Sequence, residues 1–188
     1  MFHLDTARLV LRDLEENDVV FIRRLACEPT IRRYQSLLRL ESEQAIQEFV
    51  HAAVSHNNLI PRRGFNLVIE ERRLEQAIGW IGWGQSADSI CGSFGVGYAL
   101  LPQYWGKGYM TEALCAGLTF MFEELKAECV SDYCETSNVG SARVMAKQGM
   151  KLIARWSGQA SDGSSTEYSR YSIKKSEWLL LTSQRQGR

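Results

Sequence analysis

Residues 94–125 combine a short apolar run, a turn with two glycines and a long helical pattern, and this order constrains the fold more than any other stretch. FGVGYAL at 94–100 is typical of a strand, and the apolar spacing from Tyr109 to Leu125 predicts a helix. Gly106 and Gly108 lie between them. Unpaired amides and the helix dipole favour anions at such a junction, and glycine lets a ligand approach the backbone. The pattern predicts an α/β fold with either a phosphate-binding turn or an ordinary strand-to-helix connection. Because no lysine-serine pair follows, a nucleoside triphosphate site is not expected.

The remaining patterns place further helices and strands on both sides of this unit. Their order is strand, two helices, three strands, helix, strand, helix and two strands, with no internal repeat and no linker. The chain is therefore predicted to form a single mixed α/β (α+β) domain over residues 1–180, followed by a polar C-terminal tail at 181–188. The end of that tail, TSQRQGR, is expected to fray. Ser42 is expected to cap the second helix and Gly149 to end the fourth. The predicted strands are 6–14, 65–70, 77–84, 94–100, 128–136, 151–156 and 166–173, and the predicted helices begin near 17, 42, 109 and 138.

Composition narrows the possible partners and the compartment. Lysine plus arginine and aspartate plus glutamate both number 22, so the overall charge gives no reason to expect binding to nucleic acid or to an anionic membrane. The five cysteines include no C-x-x-C pair, so their spacing predicts neither a metal site nor a disulfide framework. A reducing cytoplasm is the expected location. We find no targeting segment and no apolar run of the roughly 18 to 20 residues that a membrane span needs.

Four blocks of the sequence resemble the GNAT superfamily of acetyl-coenzyme A dependent N-acetyltransferases, and most closely its Rim-type group, the ribosomal-protein N-terminal acetyltransferases and their relatives. The blocks are TARLVLR, GYALLPQYWGKGYMTEAL, NVGSARVMAKQGM and YSIKKSEW, and together they span nearly the whole chain. The resemblance implies a GNAT-like fold, with a mixed and mostly antiparallel sheet of about seven strands flanked by about four helices. It also implies direct attack by a neutral amine on the acetyl thioester in a ternary complex, without a metal ion.

In this family the glycine-rich turn binds the coenzyme A pyrophosphate through backbone amides, and the splayed end of the preceding strand pairs with the pantetheine arm. A backbone N–H of that strand is expected to polarise the thioester carbonyl. When the sequences are matched at Pro102 and TEA, Gly108 corresponds to the first family glycine and Trp105 to its glutamine or arginine. Met110 then stands where a small residue is usual. The resemblance thus implies cofactor binding by Ala99, Leu100, Trp105, Gly106, Lys107, Gly108, Tyr109, Met110, Asn138 and Ser141.

Two residues near the start of the fourth predicted helix are implied as catalytic. Asn138 matches the family asparagine that holds the pantetheine arm, although asparagine at this place is also an ordinary N-cap. Ser141 resembles the Rim-type serine near the sulfur. Two groups found in many relatives are missing, since Met145 stands where a tyrosine protonates the thiolate and Gly95 stands where a glutamate precedes the fourth strand.

The base and the acceptor stay open at this stage. His51 and His56 lie near where family substrates enter, but a single histidine is more typical of a surface, and Glu112 fits better as a partner of the helix dipole. A water chain can deprotonate an α-amine, whose pKa is about 7.7 to 8.0, more easily than a lysine amine near about 10.4. A peptide or protein N-terminal α-amine is therefore the favoured acceptor. The alternatives are a small-molecule amine (a polyamine, an amino acid or an antibiotic) and a weakly catalytic coenzyme A-binding protein. The chain is expected to be a monomer or homodimer.

Overall fold

The structure, a computed structural model, describes residues 1–35, 38, 40–62, 64–85, 94–160 and 162–186. Its strands are β1 (His3–Asp5), β2 (Leu9–Asp13), β3 (Gly64–Glu71), β4 (Gln76–Gln85), β5 (Phe94–Leu100), β6 (Cys129–Glu135), β7 (Lys151–Gln159) and β8 (Ser165–Lys174). Within the described residues these eight strands form one sheet, in the order β1-β2-β3-β4-β5-β6-β8-β7. The β5–β6 pair is parallel, and the other neighbouring pairs are antiparallel.

Helices cover both faces of this sheet. Trp80 and Trp83 point to opposite faces of the sheet, because successive side chains of a strand alternate between the two faces. Trp80 packs against Phe49, with ring centroids 6.3 Å apart, whereas Trp83 lies against Gly117 and Phe120. Phe49 belongs to the third helix and the last two residues to the fourth, so these helices lie on opposite faces. The α-helices are α1 (Val19–Cys27), α2 (Pro29–Tyr34), α3 (Glu43–Asn57), α4 (Tyr109–Glu123), α5 (Val139–Lys147) and α6 (Lys175–Gln186).

The predicted order of elements is confirmed, and the structure adds one strand, β1, and two helices, α2 and α6. β1 lies ahead of the predicted strand at 6–14 and pairs with β2. The predicted caps are also confirmed. The Ser42 hydroxyl accepts a hydrogen bond from the Ala45 N–H at 3.1 Å at the start of α3. Gly149 follows α5 with φ of +81° and donates to the Ala146 carbonyl at 2.9 Å.

The expectation of a frayed end was wrong for residues 182–186, because α6 continues to Gln186. Trp178 is buried and lies 5.2 Å from Phe122 of α4 between ring centroids, and Leu181 packs on the core. Tertiary packing therefore holds this helix more than its polar sequence does. The division into a domain at 1–180 and a tail at 181–188 stays a prediction.

Two further observations concern the cysteines and the helices. Cys27, Cys115 and Cys134 carry free thiols, whereas Cys129 is disulfide-bonded, which the cysteine spacing did not predict. None of the helices in the described part of the chain has the length and apolar character needed to cross a bilayer.

β5 is bonded very differently along its two edges. On one edge, seven residue pairs covering all of Phe94–Leu100 join it to β4. On the other edge, only Phe94 and Gly95 pair with β6, opposite Val130 and Ser131. Beyond these residues the two strands are unpaired. We call this gap between β5 and β6 the splay. It lies toward the carboxyl ends of both strands, which lead into α4 and α5.

Candidate active site

The glycine turn is open where the sequence predicted a phosphate site. Gly106 (φ +73°) and Gly108 (φ +80°) both adopt the left-handed backbone that favours glycine. A Cβ built on Gly106 would meet no atom within 4 Å, and one on Gly108 would meet only a guanidinium nitrogen of Arg8, at 3.5 Å. Gly108 is the N-cap of α4, and no side chain caps the first-turn amides there. The open space, the amides and the helix dipole fit an anionic group such as a pyrophosphate.

Arg8, between β1 and β2, holds this turn in place and was not predicted from the sequence. Its guanidinium donates to Glu112 Oε2 at 2.7 Å and to the Lys107 carbonyl at 3.0 Å, and it lies 4.6 Å over the ring of Tyr109. Glu112 also accepts hydrogen bonds from Thr6 Oγ1 at 2.7 Å and from the Arg8 N–H at 2.9 Å. Burial alone would raise the pKa of Glu112, but these hydrogen bonds and the Arg8 charge outweigh it and lower the pKa. The carboxylate therefore faces Arg8 and leaves the turn amides open.

Two side chains donate to carbonyls on the free edge of β5. The indole N–H of Trp105 donates to the Leu100 carbonyl at 2.5 Å. Gln35, at the C-terminus of α2, donates from Nε2 to the Tyr98 carbonyl at 3.2 Å. Because these carbonyls accept from side chains on this side, they face the splay and not β4.

The pairing with β4 gives the same assignment. Residues of an antiparallel ladder alternate between those bonded to the partner strand and those facing away from it. The Leu101 N–H bonds the Ile78 carbonyl at 3.0 Å. Ala99, two residues earlier, therefore also bonds β4, and Tyr98 and Leu100 face the splay with both their N–H and their carbonyl groups. Of the two predicted strand residues, Leu100 presents its N–H to the splay.

α5 begins beside the splay and brings Ser141 to it. Asn138 Oδ1 accepts a hydrogen bond from the Ser141 N–H at 3.1 Å, so Asn138 acts as the N-cap. The Ser141 hydroxyl lies 2.8 Å from Tyr98 Oη. Burial raises the pKa of Tyr98 well above its ordinary value, and the nearby Asp132 raises it further, so the phenol stays neutral near pH 7. Tyr98 was not among the predicted site residues, but its hydrogen bond makes it a proton-bearing partner of Ser141.

β6 adds two titratable groups that were not predicted. Asp132 is the first residue of β6 beyond the segment paired with β5, and Cys134 follows on the same face. Burial raises the pKa of the Asp132 carboxyl to about 8, although a hydrogen bond from the Tyr133 N–H, 2.7 Å long, works against this rise. Burial also raises the pKa of the Cys134 thiol to about 11, with a further contribution from Asp132. An acidic residue inside a strand was the only signal that the sequence offered.

Other sequence candidates lie outside this group. His51 is exposed on α3 and contacts Glu16 Oε1 at 3.1 Å, and His56 is exposed in the last turn of the same helix. Met145 is fully buried in the core, and Met110 is buried in the first turn of α4, so it contributes only its backbone to the glycine turn. The described residues contain no group of three or more His, Cys, Asp or Glu side chains arranged to hold a metal ion.

Comparison with known proteins agrees with this geometry. The family model for the acetyltransferase (GNAT) domain matches residues 8–151. The chain belongs to the GNAT acetyltransferase family. It therefore has the GNAT α/β fold, with eight described strands where about seven were expected. Its activity is acyl transfer, and acetyl-coenzyme A is its cosubstrate.

Individual relatives point to more than one group within the family. This GNAT protein is 28% identical over 149 residues to the uncharacterized N-acetyltransferase YoaA of Bacillus subtilis, which covers 79% of this chain and 82% of that protein. The ribosomal-protein-S5-alanine acetyltransferase of Vibrio fischeri has a similar fold (TM-score 0.78, 16% identity, 95% of this chain and 99% of that one). So does the spermidine N-acetyltransferase of Vibrio cholerae, solved with coenzyme A and spermine (TM-score 0.78, 20% identity, 93% and 99%). By their names, these two enzymes use different acceptors, so the comparisons establish the family and not a group within it.

Proposed function

We propose that this GNAT protein is an N-acetyltransferase of the Rim type, which moves an acetyl group to a primary amine by direct attack in a ternary complex. A peptide or protein N-terminal α-amine is the favoured acceptor. The observation that carries the proposal is the free edge of β5, which runs along the splay and ends in the open amides of the glycine turn. Extended backbone followed by a helix N-terminus suits a cosubstrate with a linear amide-containing arm and an anionic end.

The chain would hold this cosubstrate mainly with its backbone. Ala99 and Leu100 run beside the arm, and the Leu100 N–H polarises the carbonyl that is attacked. Asn138 combines its cap with a contact to the arm, and Ser141 gives a proton to the leaving sulfur. Arg8 keeps the turn rigid through its bonds to neighbouring groups. Anion binding is assigned to the turn amides at Gly106, Lys107, Gly108, Tyr109 and Met110. The predicted contribution of the Trp105 amide is not kept, because this N–H already donates to the Pro102 carbonyl at 3.0 Å.

One observation supports an α-amine over a polyamine, whose amines are more basic. His51 and His56, which were weighed as bases, are both exposed on α3. An acceptor whose pKa is about 7.7 to 8.0 is neutral more often than one near about 10.4, and so depends less on a strong base.

A panel of matched acceptors tests the proposal. The panel contains a lysine-free peptide with a free α-amine, the same peptide with a blocked α-amine and one added lysine, spermidine, and free amino acids. Released coenzyme A is measured by chromatography, because the exposed thiol of Cys27 would react with thiol dyes. We expect the free α-amine peptide to be acetylated fastest. Faster acetylation of spermidine, or of the blocked peptide at its lysine, would contradict the acceptor assignment.

A weakly catalytic coenzyme A-binding protein is the second candidate. It is favoured by Met145, which is fully buried where many relatives carry the tyrosine acid, and by the missing side chain at Gly95. Thermal stabilisation by acetyl-coenzyme A without acetylation of any acceptor in the panel would support it. Stabilisation by NAD and not by acetyl-coenzyme A would contradict both candidates.

Location and assembly complete the proposal. Three free thiols, at Cys27, Cys115 and Cys134, support the cytoplasm, whereas the disulfide at Cys129 argues the other way. Rapid alkylation of intact cells followed by mass spectrometry would count the reduced thiols. Alkylated Cys27, Cys115 and Cys134 are expected, and alkylation of Cys129 as well would remove the observation against the cytoplasm. The native mass should be that of a monomer or homodimer, and sedimentation equilibrium measures it.

A further inference from the structure

We infer that Asp132 is the general base of the transfer: its carboxylate takes the proton that the acceptor nitrogen loses, and the hydrogen-bonded hydroxyls of Tyr98 and Ser141 deliver a proton to the leaving sulfur. The inference rests on the proposed function, because it assigns the general base that the proposed acetyl transfer leaves unassigned. The positions considered from the sequence do not fill the role, since Gly95 has no side chain and His51 is exposed beside Glu16 on the surface.

Asp132 occupies the point where β5 and β6 separate. Gly95 and Ser131 are the last paired residues, so Asp132 is the first residue of β6 that borders the splay. Side chains alternate in step along paired strands, which places Asp132 on the same face as Tyr98. The Tyr98 hydroxyl bonds that of Ser141 on α5 at 2.8 Å. The carboxyl and the hydroxyl pair therefore lie on one face of the sheet, on the two strands that border the splay.

The surroundings of the carboxyl leave it available to a substrate. Among the residues that the structure describes, it has no ion pair, and its hydrogen bond comes from the Tyr133 N–H at 2.7 Å. The titratable groups around it are Tyr98, Cys134 and Tyr171, its register partner on β8. α5 contributes the Ser141 hydroxyl, and the buried side of α4 is apolar. With a pKa raised by burial to about 8, this carboxyl matches an α-amine, whose pKa is about 7.7 to 8.0.

The proton transfers balance within these groups. The amine reaches the site neutral, after losing its ammonium proton to water. As the C–N bond forms, the carbonyl π pair moves to oxygen and the Asp132 carboxylate takes a proton from nitrogen. As the electron pair on oxygen re-forms the carbonyl, the C–S bond breaks, and sulfur keeps the bonding pair and takes a proton from Ser141. Ser141 recovers one from Tyr98, and protonated Asp132 restores Tyr98. All protein groups return to their starting states, and one proton has moved from nitrogen to sulfur.

The kinetic test uses Asp132→Asn and Asp132→Glu, with Asp5→Asn as the control for loss of a carboxylate, since Asp5 pairs with Arg72 on β1. We expect Asp132→Asn to lower kcat by about 100-fold or more, with the KM for acetyl-coenzyme A within about twofold of the wild type. Asp132→Glu should recover part of the loss, and Asp5→Asn should lose nothing. The ratio of wild-type to Asp132→Asn kcat should rise up to about pH 8 and then level off, because the same acceptor titrates in both assays. Equal kcat values with parallel pH profiles would overturn the inference.

A second readout does not depend on turnover. A carboxyl carbon NMR titration of the wild type, assigned with Asp132→Asn, should give a midpoint near 8 for Asp132, and coenzyme A alone should move it. A midpoint near about 4, or one that coenzyme A leaves unchanged, would overturn the inference. If the wild type acetylates no acceptor, the proposed function fails and the catalytic role fails with it. If the wild type is active but Asp132 titrates near its ordinary pKa, the inference fails and the proposed function stands.

Discussion

The two edges of β5 show how one strand serves both the core and the site. The edge toward β4 is closed by seven antiparallel pairs and is buried beneath helices, whereas the edge toward β6 is closed by two parallel pairs and then left free. On the closed edge the peptide groups of β5 are hydrogen-bonded to β4. On the free edge the same strand offers peptide groups of Tyr98 and Leu100, and the titratable side chains gather there. Substitutions at the closed edge should therefore act on folding, whereas substitutions at the free edge should act on binding and turnover as well as on folding.

The largest effect on folding expected from the free edge is a pH effect. Because burial raises the pKa of Asp132 from 3.8 to about 8, the folded chain keeps a proton that the unfolded chain releases. The resulting stabilisation is complete below about pH 4 and is lost as the pH rises through about 8. Across that window the wild type should lose on the order of 5 kcal/mol of unfolding free energy relative to Asp132→Asn. Urea unfolding of both proteins at about pH 5 and about pH 8 should show about 4 kcal/mol of this loss, because part of it occurs below about pH 5; parallel values would place the carboxyl in water.

The next effect should come from Gly108→Val, which fills the open space over the turn amides. A branched side chain there would block an anion, so coenzyme A affinity should fall by about 100-fold or more, equivalent to about 2.7 kcal/mol. Gly163→Val is the matched control, because Gly163 has φ of +81° and an added Cβ would also meet nothing within 4 Å. Both variants carry the strain of a left-handed valine, but only Gly108→Val should lose affinity by calorimetry. Unchanged affinity in a folded Gly108→Val protein would remove the anion site from this turn.

Gly79→Ala attacks the closed edge of β5. A Cβ on Gly79 would lie 2.6 Å from the Ala99 carbonyl oxygen and 2.8 Å from Leu100 Cδ1. The overpacking should reduce the free energy of unfolding by about 1 to 3 kcal/mol, as measured by urea denaturation. Gly64→Ala on β3 is the control, since its nearest new contact is the Trp83 carbonyl at 3.9 Å. A Gly79→Ala protein as stable as Gly64→Ala would show that the closed edge has room to relax.

The elements of the fold were predictable because their signals are local. Residues adjacent in sequence predict the glycine turn before α4, the Ser42 cap and the helix end at Gly149. α6 was not predicted, because its sequence is polar at the end and the helix is stabilised by the packing of its own Trp178 against Phe122 of α4. The sequence of α6 has only a weak helical propensity at its end, and its packing on the core stabilises the helix there.

Apart from Asn138 and Ser141, which the family resemblance implied, the site was predictable only where it consists of backbone groups. The turn and the free end of β5 follow from a strand, a glycine pair and a helix in sequence. Arg8 and Glu112 are 104 residues apart, and Tyr98 and Ser141 are 43 apart, so their contacts depend on the finished sheet. The raised pKa of Asp132 depends on burial that no local pattern reports.

Tyr98→Phe tests the hydroxyl pair on the free edge. It removes the 2.8 Å contact to Ser141 and leaves the ring in place. We expect kcat to fall about tenfold, equivalent to about 1.4 kcal/mol, with coenzyme A affinity unchanged. Tyr104→Phe is the control, because the Tyr104 hydroxyl bonds Gln76 at 3.0 Å outside the splay. An equal loss in both variants would mean that packing, and not proton transfer, explains the effect.

The smallest effect separates the two roles of Asn138. Its side chain caps α5 by accepting from the Ser141 N–H at 3.1 Å, and Ser42 caps α3 through the Ala45 N–H at the same distance. Asn138→Ala and Ser42→Ala should each lower the free energy of unfolding by about 1 kcal/mol, because each leaves one helix amide without its partner. Only α5 begins at the splay, so only Asn138→Ala should also lower kcat/KM for acetyl-coenzyme A. If both variants keep wild-type kinetics, Asn138 is a cap alone, and the arm of the cosubstrate must be held by the free peptide groups of β5.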